Sequence, residues 1–97
     1  MISLERIVEK MCHAPAICFR IEKRGFIQEG YWADLAIIDP EREWMVAKEN
    51  IHYKCGWSPL EEHKFTGKVV STIVSGHLAY RDGQFNEQKM GERLRFY

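Results

Sequence analysis

Four histidines and three cysteines are the side chains of this 97-residue sequence best equipped to hold a metal or to act as nucleophile and base. Cys12-His13 and Cys18 stand near one another early in the chain; His52, Cys55 and His63 fall in or beside one aperiodic stretch. A structural zinc is convincing when ligands come in pairs at C-x2-C or H-x3–5-H spacing, which brings four donors to one point. None of these residues shows it, so free thiols and surface imidazoles are the reading the residues favour. Cys55, followed by Gly56, could be a reactive thiol with His52 or His63 as base, but proximity along a chain supplies no orienting geometry.

Other chemistries are no better assembled. Ser58 has no G-x-S-x-G elbow. Asp34 and Asp39 bracket an apolar run but are read as pointing to opposite faces of a strand, and Asp34 is better placed to cap or pair at the strand start than to move a proton. The glycines fit turns, and no phosphate-cradling G-x-G-x-x-G or Walker loop is present. Trp32, Trp44, Trp57 and four tyrosines could form a stacking surface, but without interleaved basic residues packing in a core or interface is the stronger reading. The residues themselves therefore nominate no catalytic, substrate-binding or metal-binding side chain.

The elements that would position a site are short. Leu4, Ile7, Val8, Met11 and Cys12 fall at i, i+3, i+4, i+7 and i+8, one apolar helical stripe behind Ser3 as N-cap and Glu5 in the first turn. Pro15 is expected to stop or restart this helix, with one more turn to Cys18. Thereafter the period becomes two. Ile17, Phe19 and Ile21 alternate, Lys23-Arg24-Gly25 turns into Phe26-Ile27, and Ala33–Asp39 reads as a buried strand ended by Pro40. Glu43–Val46 is a shorter strand and residues 47–66 a long loop. Val69–Ser75, Leu78–Tyr80 and Gln84-Phe85 complete about six strands, joined by turns at Ser75-Gly76 and Asp82-Gly83. The expected class is α+β, mainly β: an N-terminal helix followed by a small β-sandwich-like sheet.

Fourteen Lys+Arg balance fourteen Asp+Glu, leaving a formal charge of zero. That gives no footprint for nucleic acid or an anionic membrane. No apolar run is long enough to span a bilayer, and no signal-peptide pattern opens the chain. Three unpatterned cysteines suit reduced thiols in the cytoplasm.

One ordered set of motifs is more specific. Lys23-Arg24-Gly25-Phe26-Ile27-Gln28-Glu29-Gly30-Tyr31-Trp32-Ala33-Asp34-Leu35-Ala36-Ile37-Ile38-Asp39 resembles the K-G-x-I-x-x-G-x-x-A-D-L-x-x-x-D segment of the amidohydrolase superfamily, with Arg24 intruding before Gly25. Ala14-Pro15-Ala16 resembles the N-P-A junction after the last barrel helix, with Ala14 in place of Asn. Lys54–Glu61, Phe65–Val69 and Thr72–Gly76 are similar to the S-P-[F/L]-x-G … G-x-V … T-x-x-x-G ending of dihydroorotases, with Glu62 where that ending commonly has Gly. The G-x-x-A-D-L segment is shared with hydantoinases, allantoinases, dihydropyrimidinases and several deacetylases; the second block points to dihydroorotases.

The resemblance spans residues 4 to 85 and implies a division. Residues 1–18 would be the last helix and junction of a barrel, 19–85 the C-terminal β-sandwich part beside it, and 86–97 a polar tail. A dihydroorotase is a zinc hydrolase that interconverts dihydroorotate and N-carbamoyl-L-aspartate in pyrimidine biosynthesis. Its H-x-H pair, further ligands and acid–base aspartate have no counterpart here, since no H-x-H occurs in the sequence. The resemblance thus implies a non-catalytic C-terminal portion of a cytoplasmic enzyme, inactive alone and binding no zinc itself. Its expected partner is the barrel, with the 47–66 loop lying on it, or a second copy joined through exposed sheet edges. The end of another cyclic amidohydrolase and a free-standing interaction module are the alternatives.

Overall fold

Ser3 begins the first element as expected: its Oγ accepts from the Arg6 N–H at 3.2 Å, and helix α1 runs Leu4–Val8. The helical path then continues without a break. A π turn, Glu9–His13, leads into α2, Ala14–Cys18, and the Ala14 N–H reaches back five residues to the Glu9 carbonyl. Pro15 therefore does not stop the helical path; it stands in the first turn of α2, which ends at Cys18 as expected. Proline cannot donate to the carbonyl four residues back and its ring crowds that group, and the wider turn just upstream relieves the crowding.

The structure is a computed structural model describing all residues, Met1–Tyr97. Its strands are β1, Leu35–Met45; β2, Lys64–Val74; β3, His77–Arg81; and β4, Gln84–Phe85. They form one antiparallel meander in the order β1-β2-β3-β4. An N-terminal helix with a mainly antiparallel sheet is an α+β arrangement, and no second sheet faces this one within the 97 residues.

Four strands replace the six expected, for identifiable reasons. Pro40 does not end β1. Between the pairs Asp39–Lys68 and Glu43–Thr66, residues 40–42 stand against Gly67 alone, so the proline sits in a bulge where its missing N–H interrupts no ladder bond. Opposite the bulge Gly67 takes φ +101°, a backbone conformation that residues with a side chain rarely adopt; a Cβ there would make only an ordinary contact with the Pro40 carbonyl oxygen, at 3.7 Å. The Trp44 Nε1–H then donates to the Gly67 carbonyl at 2.8 Å and fastens the far side of the bulge. Ile17 belongs to the helix, Phe26-Ile27 forms no strand, and Ile21 makes only an isolated bridge to Phe96. β2 begins at Lys64, inside the expected loop, because β1 pairs with it as far as Met45.

The hairpin turns follow the sequence closely. Ser75 and Gly76 have φ of +49° and +81°, Asp82 and Gly83 +46° and +85°. Both central residues left-handed is the type I′ pattern, whose twist matches antiparallel strands.

Burial departs most from expectation. Only Ala16 and Val46 are buried, and Ile37 and Ile38 of the supposedly buried strand remain 48% and 45% exposed. The accessible surface is 8313 Å², where the size scaling of folded monomers gives about 5,800 Å² for this mass. The radius of gyration is 15.4 Å, against about 12.5 Å for a compact chain of this length. Within the helix, Met11 is 73% exposed. No helical Cα lies within 8 Å of a strand Cα, so the apolar stripe has no sheet beneath it.

Candidate functional site

What ties helix to sheet is the segment between them. Gly25 lies against the helix at φ +85°, and a Cβ there would collide with the Ala16 Cβ and stand 2.8 Å from the Cys12 carbonyl oxygen. Glycine is required on both counts, conformation and proximity. Next to it, Arg24 forms an ion pair with Asp34, its side chain 10% exposed and its guanidinium 5.0 Å from the Trp32 ring centroid. Asp34 Oδ1 also accepts from the Ser75 N–H at 2.7 Å, and Arg24 Nη2 donates to the Glu92 carbonyl at 3.4 Å. The Gly76 N–H reaches the Ala33 carbonyl at 3.0 Å. Four stretches of chain meet at this knot.

Asp34 thus pairs at the strand start, as its position suggested. Arg24, which the motif comparison treats as an intrusion, is its partner. An Arg and an Asp flanking an exposed-looking Trp32 was the available signal, but ten residues of separation hide the pairing. Asp39 is used locally: its Oδ1 accepts from the Glu41 N–H at 3.1 Å.

The histidines are dispersed. His13 stacks on Phe26 with ring centroids 4.2 Å apart, His52 meets Phe85 edge-on at 4.8 Å, and His63 lies 4.8 Å from Phe65. His77 Nε2 is 3.0 Å from the Asn86 carbonyl oxygen. Cys12, Cys18 and Cys55 are exposed and unpaired, and the Cys55 Sγ–H points to the Trp57 carbonyl at 3.7 Å. Ser58 Oγ accepts from the Leu60 N–H at 3.0 Å, a turn contact. No three His, Cys, Asp or Glu side chains converge as a metal site. These residues do not fit a zinc ion.

What the chain presents instead is apolar surface. The 47–63 connection, with a short 3-10 turn at Lys48–Asn50, folds over the end of β1 and β2. It leaves an open cleft of about 420 Å³ lined by Trp44, Val46, Ile51, Tyr53, Leu60 and Phe65. Asn50 holds its rim, accepting from the Ala47 N–H and donating to the Met45 carbonyl at 2.8 Å. Trp57 and Tyr53 are more than half exposed beside it. With the bare helix stripe and the two-sided apolar run of β1, this makes a surface suited to docking. No helix is long and apolar enough to cross a membrane.

The profile described as "Amidohydrolase family" matches residues 1–79. A dihydroorotase of Pyrococcus abyssi is 40% identical over 94 residues, 97% of this chain but 23% of that protein. An allantoinase of Desulfitobacterium hafniense is 38% identical over 77 residues, 79% of this chain and 17% of its own length. The solved L-hydantoinase (dihydropyrimidinase) from Arthrobacter aurescens superposes with a TM-score of 0.76 at 34% identity, over 88% of this chain and 19% of that one. The chain therefore spans less than a quarter of the relatives it matches. Since most of its length fits the family profile, and its fold matches a solved hydantoinase, this chain belongs to the amidohydrolase family.

Proposed function

We propose that this chain is the C-terminal, non-catalytic portion of a cytoplasmic dihydroorotase, the zinc hydrolase that interconverts dihydroorotate and N-carbamoyl-L-aspartate. The observation that carries the reading is 40% identity to a dihydroorotase across nearly the whole chain. The geometry supports it from the other side. A chain with no converged catalytic groups and an excess of about 2,500 Å² of exposed surface over the size expectation is suited to support a catalytic body. The helix stripe, the outer surfaces of β1 and the Trp44 cleft are then the parts that lie against a barrel. Zinc and its ligands belong to that barrel.

The allantoinase at 38% identity favours a second reading, the corresponding portion of another cyclic amidohydrolase. A free-standing interaction module is a third.

A graft separates them. This chain replaces the matching segment of the Pyrococcus abyssi dihydroorotase, and the chimera is assayed on dihydroorotate, with the 97-residue chain alone as control. The expected result is hydrolysis by the chimera and none by the chain. Turnover by the isolated chain would sink the non-catalytic reading, and a soluble chimera without activity would favour the other two. A coding frame 5′ of Met1 that carries an H-x-H motif is expected as well; a frame without one would favour the module.

A further inference from the structure

The two edges of the sheet are built differently. β4 is two residues long and passes into a polar segment. β1 is eleven residues long, and no strand lies on its outer side. An unpaired edge of that length is a template for another strand unless charges, proline or bulges blunt it. In β1 charge and proline occupy one half only: Asp39, the Pro40 bulge, Glu41, Arg42 and Glu43 follow one another, while Leu35–Ile38 carries neither, and the register shift between Ile37 and Ile38 has its extra residue, Val70, on β2 rather than on this strand.

We propose that the chain, as it stands, forms a two-fold dimer in which the Leu35–Ile38 halves of two β1 edges pair antiparallel. This does not rest on the dihydroorotase reading. A two-fold axis brings a patch against its own copy, so a short apolar segment is self-complementary where a one-signed charged one is not. An axis between Ala36 and Ile37 sets Leu35 opposite the copy's Ile38 and Ala36 opposite its Ile37. An axis at Pro40 would set Asp39 opposite Glu41, a destabilising like-charge pair. Zero formal charge leaves no net repulsion between copies. The area is available too. A standard interface takes about 800 Å² from each partner, and the chain as a whole, this edge and the faces beside it included, exposes about 2,500 Å² more than its mass requires.

Light scattering across a concentration series, joined to amide hydrogen exchange, tests this. The unaltered chain is expected to reach twice its 11.5 kDa mass, with amides 35–39 gaining protection as concentration rises. The double variant Ile37→Lys/Ile38→Lys is expected to raise the dissociation constant at least about tenfold. Leu78→Lys, which places a charge on the β3 surface away from this edge, is expected to leave it unchanged. A single-chain mass at every concentration would overturn the proposal. So would a dimer without protection at 35–39, or one that Leu78→Lys dissociates and the isoleucine pair does not. Because exchange is read on the unaltered chain, the proposal stays open to refutation even where a variant misfolds, and a variant counts only if its circular dichroism matches that of the unaltered chain.

Discussion

Residues 24–34 and the strand that follows them are adjacent in sequence and opposite in condition. In the first stretch almost every strong group is answered from inside the chain: Gly25 by the helix, Arg24 by Asp34, Trp32 and Glu92, and Asp34 by Ser75. In the second, Ile37 and Ile38 stand about half exposed on a strand whose outer edge nothing covers. The difference separates two tasks. The junction fixes how helix and sheet are joined, and the chain completes it alone. The strand, the helix stripe and the Trp44 cleft supply apolar surface that only another body can bury.

The largest effect is expected where the chain is self-sufficient. Gly25→Ala adds a methyl that meets Ala16 and Cys12 and forces a left-handed conformation on a residue with a Cβ. Backbone strain and overpacking together are expected to lower stability by about 2–4 kcal/mol. Urea unfolding followed by far-ultraviolet circular dichroism reads it. A loss under about 1 kcal/mol would mean that the segment swings off the helix freely, and would remove the contrast with β1.

The sequence made the junction legible only in pieces. Gly25, Gly30 and the Ser75-Gly76 and Asp82-Gly83 turns are written in residue types, because a positive φ selects for them locally. Ser3 announces the helix start for the same reason. The helix passing through Pro15 was not legible, since the π turn that accommodates it is a geometric adjustment without a residue signature. Nor was the passage of β1 through Pro40, which is accommodated by a bulge set opposite Gly67 on the neighbouring strand. The expected burial of β1 failed differently: a strand apolar on both faces does signal cover on both sides, and the cover is simply not in these residues. Of the candidate chemistry, the absence of ligand spacing was readable. The Arg24–Asp34 pair was not, because side-chain pairing over ten residues depends on the fold.

A smaller effect, of the opposite sign, comes from Glu62. It stands where the family's motif has glycine, and its φ is +68°. Glu62→Gly relieves that strain while keeping the N–H that donates to the Val46 carbonyl at 2.8 Å. After the added entropy of a glycine in the unfolded chain, a gain of about 0.5–1 kcal/mol is expected. No gain in thermal or urea midpoint would show that the left-handed turn is held at no cost here.

Val69→Thr should change least, and it is the sharpest probe of the comparison. Val69 is opposite Ile38 in the ladder and is 41% exposed. Threonine keeps the β-branch and the volume, so in the isolated chain the substitution is expected to stay within about 0.5 kcal/mol. Grafted into the Pyrococcus abyssi protein, the same substitution places a hydroxyl under whatever covers that face. A buried hydroxyl without a partner costs about 1–3 kcal/mol. The informative quantity is the difference between the two backgrounds, because strand propensity and local contacts are common to both. A difference near zero would mean that the face around Val69 stays open in the larger protein, confining the docking surface to the helix stripe and the Trp44 cleft. A difference above about 1 kcal/mol would identify this part of the sheet as covered surface.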